Sequence, residues 1–216
     1  MNRSIRLAKK MVVYLTGLCI LGTGIAGFYY AGWGSDPLSV LYDGVHVAAH
    51  VSYGTAAQIV SLIGVIFVLI FARRYFHVGT IVSAILLGPC INLATTVYQS
   101  FLLAPENLEN PAKILLMCTS IFLMCTGIAV GIAVDLGPSY ADCLVLAISE
   151  KTHKNYGLIR VCADMLFTLG GFLLGGVVLY ATLIAGVCSG PLIQLLTKSI
   201  QKFLEKRIRI DCSVMA

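Results

Sequence analysis

Six segments of this chain are long and apolar enough to cross a lipid bilayer. They run approximately from Met11 to Gly32, Tyr53 to Ala72, Val78 to Ala104, Lys113 to Val134, Gly157 to Gly175 and Val177 to Thr197. A helix needs about 20 residues to cross a hydrocarbon core of about 30 Å, because each residue advances the axis by about 1.5 Å. Hydrocarbon offers no water to unpaired N–H and C=O groups, so such segments must pair their backbone internally, as helices do. The fold class that follows is all-α, a polytopic membrane helix bundle. With 58% of its 216 residues apolar and 12% charged, the chain lies outside the soluble norm of roughly 45–50% apolar and about 25% charged. The net charge of +5 sits in short basic clusters between apolar runs and forms no stripe, which argues against nucleic acid as a partner and leaves the lipid bilayer.

The fifth and sixth segments form one apolar stretch too long for a single crossing, and a break at Gly175 and Gly176 is expected because a tight turn costs least there. The first segment follows Arg3, Arg6, Lys9 and Lys10. It exceeds the roughly 7–15 residues of a signal-peptide core and is expected to remain as a span. Of the eight cysteines, seven lie in apolar or apolar-flanked segments with no CxxC pair, where cysteine serves as a small hydrophobe. Two further segments, Gly34 to Val51 and Leu136 to Asn155, are too polar for ordinary spans and are expected to be short helices, re-entrant or interfacial.

Basic residues are retained on the cytoplasmic side during insertion. Assigning the N-terminus, the Arg73–Arg74 turn, the Glu150–Asn155 segment and the C-terminal tail (residues 201–216, with Lys198 just before it) to the cytoplasm gathers there all 15 Lys and Arg except Lys113 and Arg160. Arg160 can snorkel toward the same face. Both termini are therefore expected in the cytoplasm, which requires an even number of spans.

The two halves resemble each other. At one constant spacing Thr23-Gly24-Ile25-Ala26 recurs as Thr126-Gly127-Ile128-Ala129, Gly34 answers Gly137, and Tyr53-Gly54 answers Tyr156-Gly157. At a spacing one residue shorter Gly88-Pro89 matches Gly190-Pro191, and Asn92 matches Gln194. Each unit, about 11–104 and about 113–200, reads as span, short helix, span, span. Three crossings are odd, so the second unit enters the membrane in the opposite sense. The expectation is a single membrane domain of six spans arranged as a 3+3 inverted repeat.

Ser35 or Asp36 can cap the first short helix with Pro37 at its first position, and Gly137-Pro138-Ser139 repeats the device. If these helices dip into the bilayer, their N-termini form a place for an anionic ligand group; otherwise they brace the bundle. Gly88-Pro89 and Gly190-Pro191 should kink spans three and six, with Asn92 and Gln194 one turn later to satisfy a freed carbonyl or line a midplane site. Arg160 and Asp164, four apart, can pair within span five, either as a functional intramembrane charge or as a structural bridge. Asp142 stands where Ser39 stands in the first unit and is a candidate coupling group or a solvated interfacial acid. Asp43, His46 and His50 share a helical face, yet three ligands without a catalytic base make a weak metal site. No cofactor, metal or enzyme is expected, since no Walker loop, nucleophile elbow or serine–histidine–aspartate arrangement is readable.

The pattern Gly34-Ser35-Asp36-Pro37, Gly54-Thr55, Gly79-Thr80 and Gly88-Pro89 has a second-half echo in Gly137-Pro138, Asp142, Gly157, Arg160 and Gly190-Pro191. Together they resemble the YczE/YyaS/YitT group of bacterial membrane proteins over roughly residues 13–197. The resemblance implies a polytopic protein of the bacterial inner membrane. Where that group tends to carry an acidic residue after the first Gly-Pro of span three, this chain has Asn92. The expected function is a secondary transporter or permease for a small solute, with candidate site residues Ser35, Asp36, Asn92, Ser139, Asp142 and Gln194. The alternatives are a non-transporting scaffold or regulatory protein, and a substrate-binding subunit of an energy-coupled transporter. A homodimer or partner subunit would suit so small a bundle, although no sequence signal specifies one.

Overall fold

The computed structural model describes residues 3–32, 34, 36–101, 109–134, 136, 139–154, 156–204 and 206. Helices occupy all six apolar segments. They are α1 (Arg3–Ala31), α3 (Tyr53–Phe71), α4 (Val78–Phe101), α5 (Asn110–Val134), α7 (Tyr156–Leu173) and α8 (Tyr180–Phe203), with the shorter α2 (Pro37–Ala49) and α6 (Tyr140–Thr152) between them and a 3-10 turn at Arg73–Tyr75. Four stretches, Leu7–Ala31, Tyr53–Phe71, Val78–Phe101 and Asn110–Val134, have the length and apolarity of a membrane-crossing helix. The protein is an all-α, multi-pass membrane helix bundle, with no strand among the described residues. Most of the expected tail at 201–216 and the expected end of the third span at Ala104 lie outside the described residues.

The break between α7 and α8 falls at the expected glycines. Gly175 has φ +95, its N–H donates to the Phe172 carbonyl at 3.0 Å, and the Gly176 N–H donates to the Gly171 carbonyl at 2.8 Å. This is the paired-bond helix stop in which a left-handed residue satisfies the last carbonyls. The short helices end alike, at His50 (φ 52) and His153 (φ 53), both left-handed.

Packing is organised around α1, which lies along α5 and α4; α3 packs on α4, and α5 on α8. The close contacts of α1 with α5 pair Gly17 with Val130, Gly24 with Met124 and Gly27 with Ser120. Numbers rise on one helix as they fall on the other, so the two are antiparallel. The contact is also reciprocal. A Cβ at Gly24 would come 2.5 Å from the Met124 nitrogen, and one at Gly127 would come 2.5 Å from the Leu21 nitrogen. Gly24 answers Gly127, and Leu21 answers Met124, at the spacing found in the sequence. The short helices cross between halves, α2 lying on α7 and α6 on α3.

Large apolar side chains face outward, among them Phe71, Leu93, Phe101, Leu115, Met165, Leu166 and Leu173, as lipid contact requires. The interior is small and aromatic instead, with Ala26, Phe28, Tyr42, Tyr53, Ala57, Ile91 and Cys125 buried in one cluster. Helices that gain nothing from leaving lipid for one another associate through such close, small-residue contact.

Gly24→Ala and Gly127→Ala should each lower stability by about 1–3 kcal/mol, the usual cost of overpacking, because backbone atoms occupy the methyl's place. Gly131→Ala should be near neutral, since the nearest atom to its Cβ position is Tyr14 Cε2 at 3.7 Å. Thermal unfolding in one detergent compares all three.

Candidate functional site

The two short helices begin with mirrored caps. At α2, Asp36 is the N-cap with extended backbone (φ −67, ψ 159), and Pro37 follows. Its Oδ2 accepts the Ser39 N–H at 3.4 Å. At α6, Ser139 is the N-cap, its Oγ accepting the Asp142 N–H at 3.3 Å and donating to Asp142 Oδ2 at 2.8 Å. Acid and hydroxyl have exchanged places, Asp-x-x-Ser in one helix and Ser-x-x-Asp in the other. Of the two residues expected to cap α2, Asp36 does so; Ser35, Gly137 and Pro138 lie outside the described residues.

Both caps lead to Arg160. Its Nε donates to Asp164 Oδ1 at 3.1 Å, the within-helix pair read from the sequence, and its Nη1 donates to Asp142 Oδ1 on α6. The side chains of Arg160, Asp142 and Asp164 are 33%, 19% and 24% exposed. Asp36 lies within electrostatic reach of Arg160. One guanidinium thus pairs with carboxylates from α6 and α7, and pairing reduces the penalty of placing charge in a poorly solvated bundle.

Beside this charge lies a hydroxyl group of residues that sequence reasoning missed. Tyr42 of α2 and Tyr140 of α6, both almost fully buried, share a hydrogen bond of 2.9 Å between their hydroxyls. Ser61 of α3 sits against this pair. Tyr53 donates to the Ser39 carbonyl at 3.0 Å, stacks on Tyr29 and meets Tyr42 edge-on. No local spacing signals these contacts, which join residues from different helices.

Asn92 serves another place. Its Oδ1 accepts the Ser52 hydroxyl and the Gly54 N–H, both at 3.0 Å, at the start of α3. Ser61 lies about 10 Å farther along that helix at 1.5 Å per residue. The carbonyl that Pro89 frees, on Ile85, accepts Gln58 Nε2 at 3.2 Å, so Gln58 fills the role expected of Asn92. Gly54 and Gly88 permit the approach: a Cβ on either would come within 2.4 Å of the other's carbonyl oxygen. α4 continues as one helix through Pro89. Gly190, Pro191 and Gln194 fall inside α8, and their side chains lie outside the described residues.

The three residues weighed as metal ligands are partly engaged elsewhere. Asp43 Oδ2 accepts the Val177 N–H at 2.7 Å. His46 Nδ1 contacts the Val51 carbonyl, and its Nε2 lies 3.2 Å from the Tyr29 hydroxyl. His50 is the left-handed cap. Among the described residues no group of three or more His, Cys, Asp or Glu side chains is placed to hold a metal. At the basic end of α3 a shallow groove of about 270 Å³ is lined by Arg73, Arg74, Tyr75, Glu150 and Lys151, among others. Arg74 pairs with Glu150 at 2.8 Å, and Tyr75 donates to the same carboxylate, which holds its hydroxyl above the usual tyrosine range.

Two stability experiments separate these regions. Arg160→Met and Asp142→Leu should each destabilise by stranding a partner, and the double variant should recover part of the loss. A coupling energy near 1 kcal/mol is expected, the low end for contacting charges because the pair is partly exposed. Asn92→Leu should cost about 1 kcal/mol by uncapping α3, with no coupling to Arg160. Double-mutant cycles by thermal unfolding measure both.

The family of unknown function DUF6198 matches residues 8–198. An uncharacterized protein of Haemophilus influenzae is 26% identical over 86% of this chain and 82% of its own length. The uncharacterized membrane protein YczE of Bacillus subtilis is 24% identical over 90% of this chain and 89% of its own. No solved structure matches.

Proposed function

This chain belongs to the DUF6198 family and is similar to the Bacillus subtilis membrane protein YczE over most of its length, and from that premise we propose that it is a small-solute secondary permease of the bacterial inner membrane. In this reading six spans form two opposed three-span units, and both termini face the cytoplasm. The short helices dip in from opposite sides, and the solute site lies where their N-termini meet, at Asp36, Ser139, Asp142 and Arg160.

One observation carries the reading. Each short helix packs on a long helix of the other half, Arg160–Asp142 holds the start of α6 to α7, and Tyr42 of α2 reaches the first residue of α6 through the Tyr42–Tyr140 bond. Opposed repeats with polar helix starts between them are the arrangement by which membrane carriers expose one site alternately to either side. The antiparallel, reciprocal contact of α1 with α5 supports the opposed units. Ionisable groups retained inside a bundle support a functional site, because lipid makes them costly.

A second reading, a non-transporting scaffold, has its own support in the polar groups spent on packing, Gln58 on Ile85 and Asn92 on the start of α3. Liposomes containing the purified protein separate the two. Saturable uptake, or ligand-induced thermal stabilisation, of at least one solute in a broad panel of ions and metabolites is expected, and Arg160→Gln should abolish it while Asn92→Leu should retain it in folded protein. Absence of any such response across the panel would favour the scaffold. Impermeant labelling of single cysteines at Glu109 and Lys154 should occur from opposite sides; labelling from one side refutes the opposed units.

A further inference from the structure

The groups around Asp36 do not balance in charge or in hydrogen bonds. Among the described residues the cluster holds three carboxylates, Asp36, Asp142 and Asp164, and one guanidinium, Arg160. The starts of α2 and α6 add roughly half a positive charge each. About one negative charge remains. Among the described residues four buried side-chain oxygens lack a hydrogen-bond partner, and three of them, Asp36 Oδ1, Ser39 Oγ and Ser61 Oγ, belong to this cluster; the fourth, Ser120 Oγ, lies apart at the α1–α5 contact. Ser39 and Ser61 are fully buried. Ser39 stands one turn along α2 beside Asp36, and Ser61 lies against the Tyr42–Tyr140 hydroxyls, which themselves feel the Asp36 charge. A buried polar oxygen left without a partner is costly, and three of them gather in this one cluster.

We propose that this cluster binds one monovalent cation at Asp36 Oδ1, either a proton taken from solvent to form an O–H bond or an alkali-metal ion shared with Ser39 Oγ and Ser61 Oγ. Asp36 Oδ2 is already committed to the Ser39 N–H, which leaves Oδ1 as the free acceptor. The groups that interact electrostatically with it from neighbouring elements are Tyr53 of α3, Tyr140 of α6, and Arg160 and Asp164 of α7, with Tyr42 on α2 itself, and Asp142 of α6 joins the same network through its bond to Arg160. The described part of α8 brings Thr182 near Gly34 at this end. The inference rests on the same cluster as the permease reading and supplies it with a coupling ion.

Infrared difference spectroscopy of the full chain in lipid nanodiscs reads the occupant directly. Acidification in choline buffer should raise a protonated-carboxyl band that Asp36→Asn removes. Asp142→Asn should move its midpoint to lower pH, because a lost negative neighbour eases proton release, and Arg160→Gln should move it to higher pH. Sodium replacing choline should move the midpoint to lower pH if an alkali-metal ion shares the site; indifference to sodium assigns the site to the proton alone. A band that persists in Asp36→Asn, or no titratable band and no sodium response in the wild type, overturns the proposal. If Asp36→Asn does not fold, the other two variants decide: opposite shifts support the site, and shifts in one direction or none overturn it. Because the readout is occupancy, a lost band with intact solute uptake would remove only the ion site, and an intact band without uptake only the permease.

Discussion

The structure depends on the absence of water along its helices. In hydrocarbon an unpaired carbonyl or amide has no solvent to fall back on, so each interruption of a helix must be answered by a neighbouring side chain. Pro89 releases the Ile85 carbonyl, and Gln58 takes it. The start of α3 leaves N–H groups free, and Ser52 and Asn92 take them. Threonines at Thr95, Thr96, Thr126, Thr168 and Thr197 turn their hydroxyls back to carbonyls one turn earlier. Against this pairing, four buried side-chain oxygens among the described residues lack a partner: Ser120 Oγ lies alone at the α1–α5 contact, and the other three, those of Asp36, Ser39 and Ser61, fall in one place.

That place exists because of how α1 and α5 meet. Gly24 and Gly127 let the two helices approach until backbone touches backbone, and their opposite directions turn the halves of the chain toward each other. Each short helix then has a partner in the other half, α2 on α7 through Gly44 and Gly171, and α6 on α3 through Gly64 and Tyr140, besides the next helix of its own half, α3 for α2 and α7 for α6. The start of α6 is bonded to Arg160 through Asp142, and the cap of α2 lies within that arginine's electrostatic reach. Close packing by small residues and collection of charge are two outcomes of one arrangement, the first enabling the second.

Features with local causes were readable in the chain. The caps at Asp36 and Ser139, the break at Gly175 and the Arg160–Asp164 pair each depend on residues within about one helical turn, where geometry follows from spacing alone. The kinked-span site read from Asn92 shows the limit of that reasoning. Its amide lies one turn from Pro89, but a nearer donor on another helix, Gln58, reaches the freed carbonyl, and Asn92 turns to α3. Asp142 and Arg160 are eighteen residues apart across a helix break, and Tyr42 and Tyr140 ninety-eight, so neither pairing had a local signal.

The sequence by itself determined an all-helical membrane chain, the place of each helix, the caps and stops, and two self-similar halves, because hydrophobic length, capping and glycine punctuation act over a few residues. Only the tertiary structure decided that both short helices reach a long helix of the opposite half, that Arg160 joins carboxylates of α6 and α7, and that Asn92 lies apart from them. Those outcomes depend on which helix surfaces can approach most closely, and that is a property of the assembled bundle, set by the fit of glycine against backbone between segments far apart in the chain.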